Sequence, residues 1–152
     1  MHSIQYAETV KNAILESKRV LKEKGKLVIM IWGNKEDCET GSFLKVIGSL
    51  LPTPPPGAGG PFALSDDELL ETIITGCGLK IIHNTDVCSI WDYPNADTAL
   101  KGLLSAGPTV KAIENSGFEK VYKESSKAIE PYIQKNGRVI YKNKFRVVIS
   151  EK

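Results

Sequence analysis

The chain has 152 residues, a mass of 16.7 kDa and a formal net charge of +2 from 20 basic and 18 acidic side chains. A composition of 41% hydrophobic and 25% charged residues excludes a disordered chain or a coiled coil and suits a single globular domain spanning 1–152. The small charge gives no footprint for nucleic acid or an anionic bilayer, no apolar run approaches the ~20 residues of a membrane span, and Met1, His2 and Ser3 do not begin a signal peptide.

Three well-separated cysteines, Cys38, Cys77 and Cys88, provide neither zinc-ligand spacing nor a disulfide framework, so the expectation is a cytoplasmic protein without a metal site. From Thr9 to Lys24, Val10, Ala13, Ile14, Ser17, Val20 and Leu21 recur at helical spacing, with Lys11, Lys18 and Lys22 on the opposite face. Gly25 stands where a left-handed helix cap belongs. Leu27–Trp32 is an unbroken apolar run that reads as a strand buried on both faces, as in a parallel sheet. Ser3–Ala7 reads as the end of an earlier strand, which would make a right-handed strand–helix–strand crossover.

Gly33–Gly41 is polar and loop-like. Ser42–Leu51 predicts a short helix, and Pro52–Pro61 a proline- and glycine-rich surface loop. Ser65-Asp66-Asp67-Glu68 has the form of a capping box opening a helix that buries Leu69, Leu70, Ile73, Ile74 and Cys77. The acidic run suits a helix N-terminus better than a metal site. Leu79–Tyr93 predicts a long extended segment with Ile81, Val87, Ile90 and Trp91 inward. Helices follow over Asn95–Ala106, from Pro108, and over Glu119–Gln134, punctuated by Gly107-Pro108 and Gly117. Arg138–Ser150 is rich in β-formers and interrupted near Lys142-Asn143, consistent with one bent strand or a hairpin.

The Leu27–Trp32 strand needs a neighbour on each side. With so few strands, the sheet resembles one flank of a larger one, and its open edge predicts a homo-oligomer or a partner chain.

Several blocks carry a resemblance. Arg19-Val20-Leu21-Lys22-Glu23-Lys24-Gly25-Lys26-Leu27-Val28-Ile29 resembles the RVLKPGGxLVI passage of class I S-adenosylmethionine-dependent methyltransferases, which joins the helix after their fourth strand to the fifth strand. Ser3-Ile4-Gln5-Tyr6-Ala7 resembles the segment after the fourth strand. Pro61–Asp66, Gly76–Leu79 and Gly102–Pro108 are similar to blocks of one bacterial branch. The resemblance implies an α/β fold: a partial Rossmann-like sheet, the C-terminal flank of the enzyme, with an antiparallel final strand and covering helices. Residues 33–64 would form a lid-like insert. The enzyme would transfer a methyl group to a small molecule.

The glycine-rich loop that grips the cofactor between the family's first strand and first helix has no counterpart here. The first glycine, Gly25, follows a helix, and Gly57-Ala58-Gly59-Gly60 lies between prolines with no buried strand before it. The expectation is therefore a C-terminal fragment, with Met1-His2 an artificial or alternative start, that binds S-adenosylmethionine weakly or not at all by itself. It would pair with a second copy or with a separate chain supplying the cofactor half, or serve as a non-catalytic partner-binding module.

By the resemblance, Ser3 and Gln5 lie beside the cofactor. Gln5, Tyr6, Trp32 and Gly33 occupy strand ends, where ligands of open α/β sheets bind. The aromatic faces of Tyr6 and Trp32 suit a sulfonium cation, or simply pack beneath helices. Trp32, Phe43, Phe62 and Trp91 are the candidate acceptor-binding residues, against the alternative of a hydrophobic cluster under a long loop. No catalytic base stands out: His83 falls within a strand with no partner placed by sequence.

Overall fold

The computed structural model describes residues 4–53, 60–65 and 68–152. The chain divides into two compact units. Unit one comprises Met1–Asp37, Gly57–Ser89 and Lys144–Lys152, and unit two comprises Cys38–Pro56 and Ile90–Asn143.

The elements in chain order are α1 (Val10–Val20), β1 (Lys26–Trp32), α2 (Gly41–Leu50), α3 (Leu69–Gly76), β2 (Lys80–Tyr93), α4 (Ala96–Leu104), α5 (Gly107–Ser116), α6 (Phe118–Ile129) and β3 (Val139–Glu151). The fold is mixed α/β, with a three-stranded antiparallel sheet ordered β1-β3-β2.

Three strand expectations are corrected. β1 pairs antiparallel with β3, from Lys26 opposite Glu151 to Trp32 opposite Phe145, rather than with a parallel neighbour as the apolar run suggested. It is not buried on both faces either. Ile29 and Ile31 are fully buried while Val28 is 46% exposed, the alternation of a strand covered on one side. Ile4–Tyr6 is a single 3-10 turn rather than a strand end, and Ile4 anchors it in the core. In β2 the half-buried positions are Ile81, Thr85, Ser89, Trp91 and Tyr93, whereas Val87 and Ile90 are exposed. Ile90 and Trp91 point to opposite faces of the pleat and cannot both be inward.

β3 is one continuous strand. Asn143 does not break it, because its side chain is buried and its Oδ1 accepts from the Thr40 amide at 3.1 Å.

The turn after α1 also differs from expectation. Lys24 takes the left-handed conformation (φ 60°), and Gly25 does not. Gly25 is required for space: a Cβ there would lie 2.7 Å from the Lys22 carbonyl oxygen. The capping box does not form around Ser65, whose hydroxyl donates to the Trp32 carbonyl at 2.7 Å. The residue preceding α3 is Glu68, itself left-handed (φ 54°). Asp66, Asp67 and most of the Pro52–Pro61 loop lie outside the described residues.

Unit one buries Ile14 of α1, Ile29 and Ile31 of β1, Leu70 and Ile74 of α3, and Val148 of β3 in one cluster. Unit two buries Phe43, Ile47 and Leu50 of α2 with Leu100 and Leu103 of α4, Val121 and Ile129 of α6, and Tyr141 of β3. The helix punctuation is as expected. Asn95 caps α4, its Oδ1 accepting from the Thr98 amide at 2.8 Å, and Gly117 (φ 82°) makes the left-handed turn between α5 and α6.

Candidate functional site

The candidate site lies in unit one, around the carboxyl end of β1. Trp32 closes the strand. Its ring is 7% exposed and packs against Phe145, with centroids 4.6 Å apart, and Phe62, at 5.6 Å. The chain then passes so close to β3 that only glycine fits. The Gly33 amide donates to the Lys144 carbonyl at 2.8 Å, and a Cβ at Gly33 would sit 2.9 Å from that same oxygen. The 3-10 turn of Ile4–Tyr6 packs against β1. It carries Gln5, whose Oε1 is buried and has no hydrogen-bond partner among the described residues.

Arg146 of β3 joins the segments around this strand end. Its Nε donates to Asp86 of β2 at 3.1 Å, and its Nη1 donates to the Ser65 carbonyl at 3.3 Å. Nη2 reaches Asn34 Oδ1 at 3.5 Å, and Nη1 lies 3.8 Å from Glu71 of α3. Asn84 of β2 donates to the same Glu71 at 2.9 Å. The Asp86 hydrogen bond raises the Arg146 pKa above its ordinary value, opposed by partial burial and assisted by the charges of Asp86, Glu71 and Glu68. A single guanidinium thus ties together β2, α3, the Ser65 turn and the loop following Trp32, using the fixed fork of donors that only arginine has.

Among the residues expected to contact cofactor, Gln5 is at the site, Tyr6 is 61% exposed beside it, and Ser3 lies outside the described residues. Among the acceptor candidates, Trp32 and Phe62 meet in unit one. Phe43 and Trp91 belong to unit two. Phe43 is 2% exposed and fills the core of unit two. Trp91 lines a shallow cavity of about 390 Å³ with Tyr93, Gly102, Leu103 and Ala106. Gly102 admits the Tyr93 ring, which would stand 3.3 Å from a Cβ there.

Unit two also holds a tyrosine cluster that sequence reasoning missed. The Tyr141 ring lies 4.4 Å from that of Tyr132, whose hydroxyl is 2.9 Å from Ser42 Oγ. Tyr141 is fully buried and its hydroxyl has no partner among the described residues. Burial pushes its pKa well above the ordinary tyrosine value, helped by Tyr132, Tyr93 and Glu39. Burial likewise raises Tyr93. His83 is exposed on β2. Among the described residues no group of three or more His, Cys, Asp or Glu side chains is placed to hold a metal ion, and no helix is long and apolar enough to cross a membrane.

Among the described residues the arrangement offers two buried acceptors without a hydrogen-bond partner, Gln5 Oε1 and Glu71 Oε2, together with a polar strand end and an aromatic wall. Among the described residues no glycine-rich turn joins a strand to a following helix. No protein-family model matches the chain, and comparison with curated proteins finds no significant match.

Proposed function

We propose that this chain is the C-terminal, acceptor-side part of a class I S-adenosylmethionine-dependent methyltransferase acting on a small molecule, with a partial Rossmann-like sheet, and that alone it holds the cofactor only weakly. The observation that carries the reading is Gln5. Among the described residues its buried Oε1 lacks a partner, in the segment where the resemblance puts a cofactor contact. Burying an unpaired carbonyl is costly, so a donor from a bound molecule would be favoured there. The antiparallel final strand that the resemblance calls for is in accord with β3, and the Arg19–Ile29 passage supplies α1, the tight turn at Gly25 and β1 in the order that the family requires.

The remaining cofactor contacts would come from a glycine-rich half, carried by a partner chain or another part of the same polypeptide. Trp32 and Phe62 would form the aromatic wall on the acceptor side, and Trp91 the wall of the unit-two cavity.

The test is a titration of the isotopically labelled chain with S-adenosylhomocysteine, read residue by residue in amide correlation spectra. The expected result is millimolar binding, with shifts confined to Gln5, Tyr6, Trp32, Gly33 and their neighbours. Saturation of a tight site at 100 times Kd would stabilise the chain by about 2.7 kcal/mol, and no thermal shift of that size is expected. Absence of shifts at millimolar ligand, or shifts confined to unit two, would remove the support for this reading.

A further inference from the structure

Unit two contains a segment whose chemistry the methyl-transfer reading leaves aside. Asn136-Gly137 is the one Asn-Gly pair in the sequence, and it lies in the turn that leads into β3. The Gly137 amide donates to the Gln134 carbonyl at 2.8 Å, the Gln134 amide donates to the Arg138 carbonyl at 2.7 Å, and Ile133 pairs with Val139 beyond them. These bonds make a three-residue hairpin loop, with Gly137 (φ 82°) at the left-handed position that such loops reserve for glycine. Lys135, Asn136 and Gly137 are all exposed.

The main-chain nitrogen that follows an asparagine can attack the side-chain carbonyl carbon, Cγ. The product is a five-membered ring, and closing it within one chain gains the full advantage of proximity. Bulk on the following residue obstructs the attack. Gly137 has no Cβ, whereas every other asparagine precedes alanine, lysine, threonine or serine. The fold adds to this selection. Asn136 Oδ1 accepts from the Arg138 amide at 3.2 Å, which draws the side chain back along the 136–137 peptide and withdraws electron density from Cγ. By contrast, Asn95 Oδ1 is held by the start of α4, and Asn143 is buried. The bond from the Gly137 amide to Gln134 opposes the attack, but a single exposed hydrogen bond slows it by no more than about tenfold.

We propose that Asn136 is a site of spontaneous deamidation that alters this turn with time. The Gly137 nitrogen gives its proton to a base in solution and bonds to Asn136 Cγ. The Cγ–Nδ2 bond breaks, Nδ2 leaves as ammonia, and a succinimide remains. Water then adds to one of the two ring carbonyls, and the bond from that carbon to the ring nitrogen breaks. Opening at Cγ gives aspartate. Opening at the main-chain carbonyl gives isoaspartate, with the chain rerouted through Cβ and Cγ. The main-chain carbonyl is the more electrophilic of the two, because its neighbouring carbon carries the amide nitrogen, so isoaspartate is the major product. Water and base are the only co-reactants, and no electrons are exchanged.

Either product brings a carboxylate close to Arg138, whose Nε donates to Asp92 at 2.8 Å. Isoaspartate also inserts a methylene into the main chain of the loop. The two hydrogen bonds around Gln134 then no longer fit together, and the hairpin loosens. This chemistry is independent of the methyltransferase reading.

The experiment incubates the full chain at body temperature in mildly alkaline buffer made with heavy-oxygen water. A chymotryptic digest follows, in which the segment 133–141 is resolved into its Asn, Asp and isoAsp forms by chromatography and mass spectrometry. The heavy-oxygen label separates conversion during incubation from conversion during digestion. The expected result is labelled product at Asn136 ahead of every other asparagine, isoaspartate in excess, and a rate that rises with pH. The folded chain is expected to convert within about tenfold of the rate of the urea-unfolded chain. Asn136→Gln would have to close a six-membered ring and is expected to give no product, while leaving Gly137 and its backbone angle untouched. In the isoaspartate form, amide exchange at Gln134 and Gly137 is expected to quicken by about fivefold or more.

An Asn136 that stays intact in the folded chain while the unfolded chain converts would overturn the proposal, because the turn would then protect the site. So would product spread evenly over the asparagines. Conversion that leaves exchange at Gln134 and Gly137 unchanged would overturn the claim that the turn responds.

Discussion

Tyr141→Phe is expected to stabilise this protein, although it alters the most deeply packed aromatic residue of unit two. The substitution removes one oxygen and keeps the ring that packs 4.4 Å from Tyr132. That oxygen is fully buried and makes no hydrogen bond among the described residues. A buried polar group without a partner costs about 1–3 kcal/mol, which the phenylalanine recovers. The void left behind is about one probe sphere, 10–15 Å³. At ~24 cal/mol per Å³ it costs only about 0.2–0.4 kcal/mol. The net gain is about 1–2.5 kcal/mol, which for a chain of this size raises Tm by about 2–10 °C.

The same residue shapes the alkaline limb of stability. Burial raises the folded-state pKa of Tyr141 above that of the unfolded chain, which is about 10. Below pH ~10 the phenol is protonated in both states and its contribution is constant. Above that value the unfolded chain ionises first, and stability falls by up to about 1.4 kcal/mol per pH unit for this one group. Phenylalanine has no proton to lose. Urea unfolding at pH 7 and across pH 9.5–11.5 measures both effects: the variant starts higher and declines less steeply. A variant less stable than the parent at pH 7 would mean that the hydroxyl is hydrogen-bonded, and an unchanged alkaline slope would mean that the group is not buried in the folded protein.

Other substitutions probe unit one and the helix caps. Arg146→Met leaves Asp86 and Glu71 facing each other without their cation. The side chains concerned are 14%, 28% and 12% exposed. A fully buried pair broken this way costs 3–5 kcal/mol; with solvent screening the loss is about 2–3 kcal/mol, read as a lower urea midpoint with an unchanged m-value. Lys24→Gly relieves a left-handed lysine and is expected to raise stability by about 0.5–1 kcal/mol, whereas Gly25→Ala drives a methyl group into the Lys22 carbonyl and lowers it. Asn95→Ala removes the α4 cap and is expected to cost about 1 kcal/mol in thermal unfolding.

Helical periodicity made most helices legible, because that signal is local. The apolar stripe of α1, the Asn95 cap, Gly107-Pro108 and Gly117 each act within a few residues of themselves. The sheet was harder to read. Leu27–Trp32 is apolar throughout, so its sequence hid the alternation that leaves Val28 exposed and Ile29 buried. Its antiparallel pairing is set by Phe145–Glu151, at the other end of the chain. The two turn misreadings share a cause. Ser65 has the spacing of a cap, but its hydroxyl finds a better acceptor in the distant Trp32 carbonyl. Gly25 has the position of a left-handed residue, but its role is to leave room for Lys22.

A glycine therefore has two separate physical reasons to stand where it does, a backbone angle or a close approach, and only the structure distinguishes them. The same division runs through the candidate site. Trp32 and Gly33 were singled out because they close β1, a property of position along the chain, whereas Gln5 was singled out by the resemblance and as the end of a strand that is a 3-10 turn. Arg146 was missed because its role is defined by Asn34, Ser65, Glu71 and Asp86, which come from four separate segments. A lone arginine within a run of strand-forming residues is the one local sign of such a hub. The cost of half-burying its charge is what requires those partners to converge.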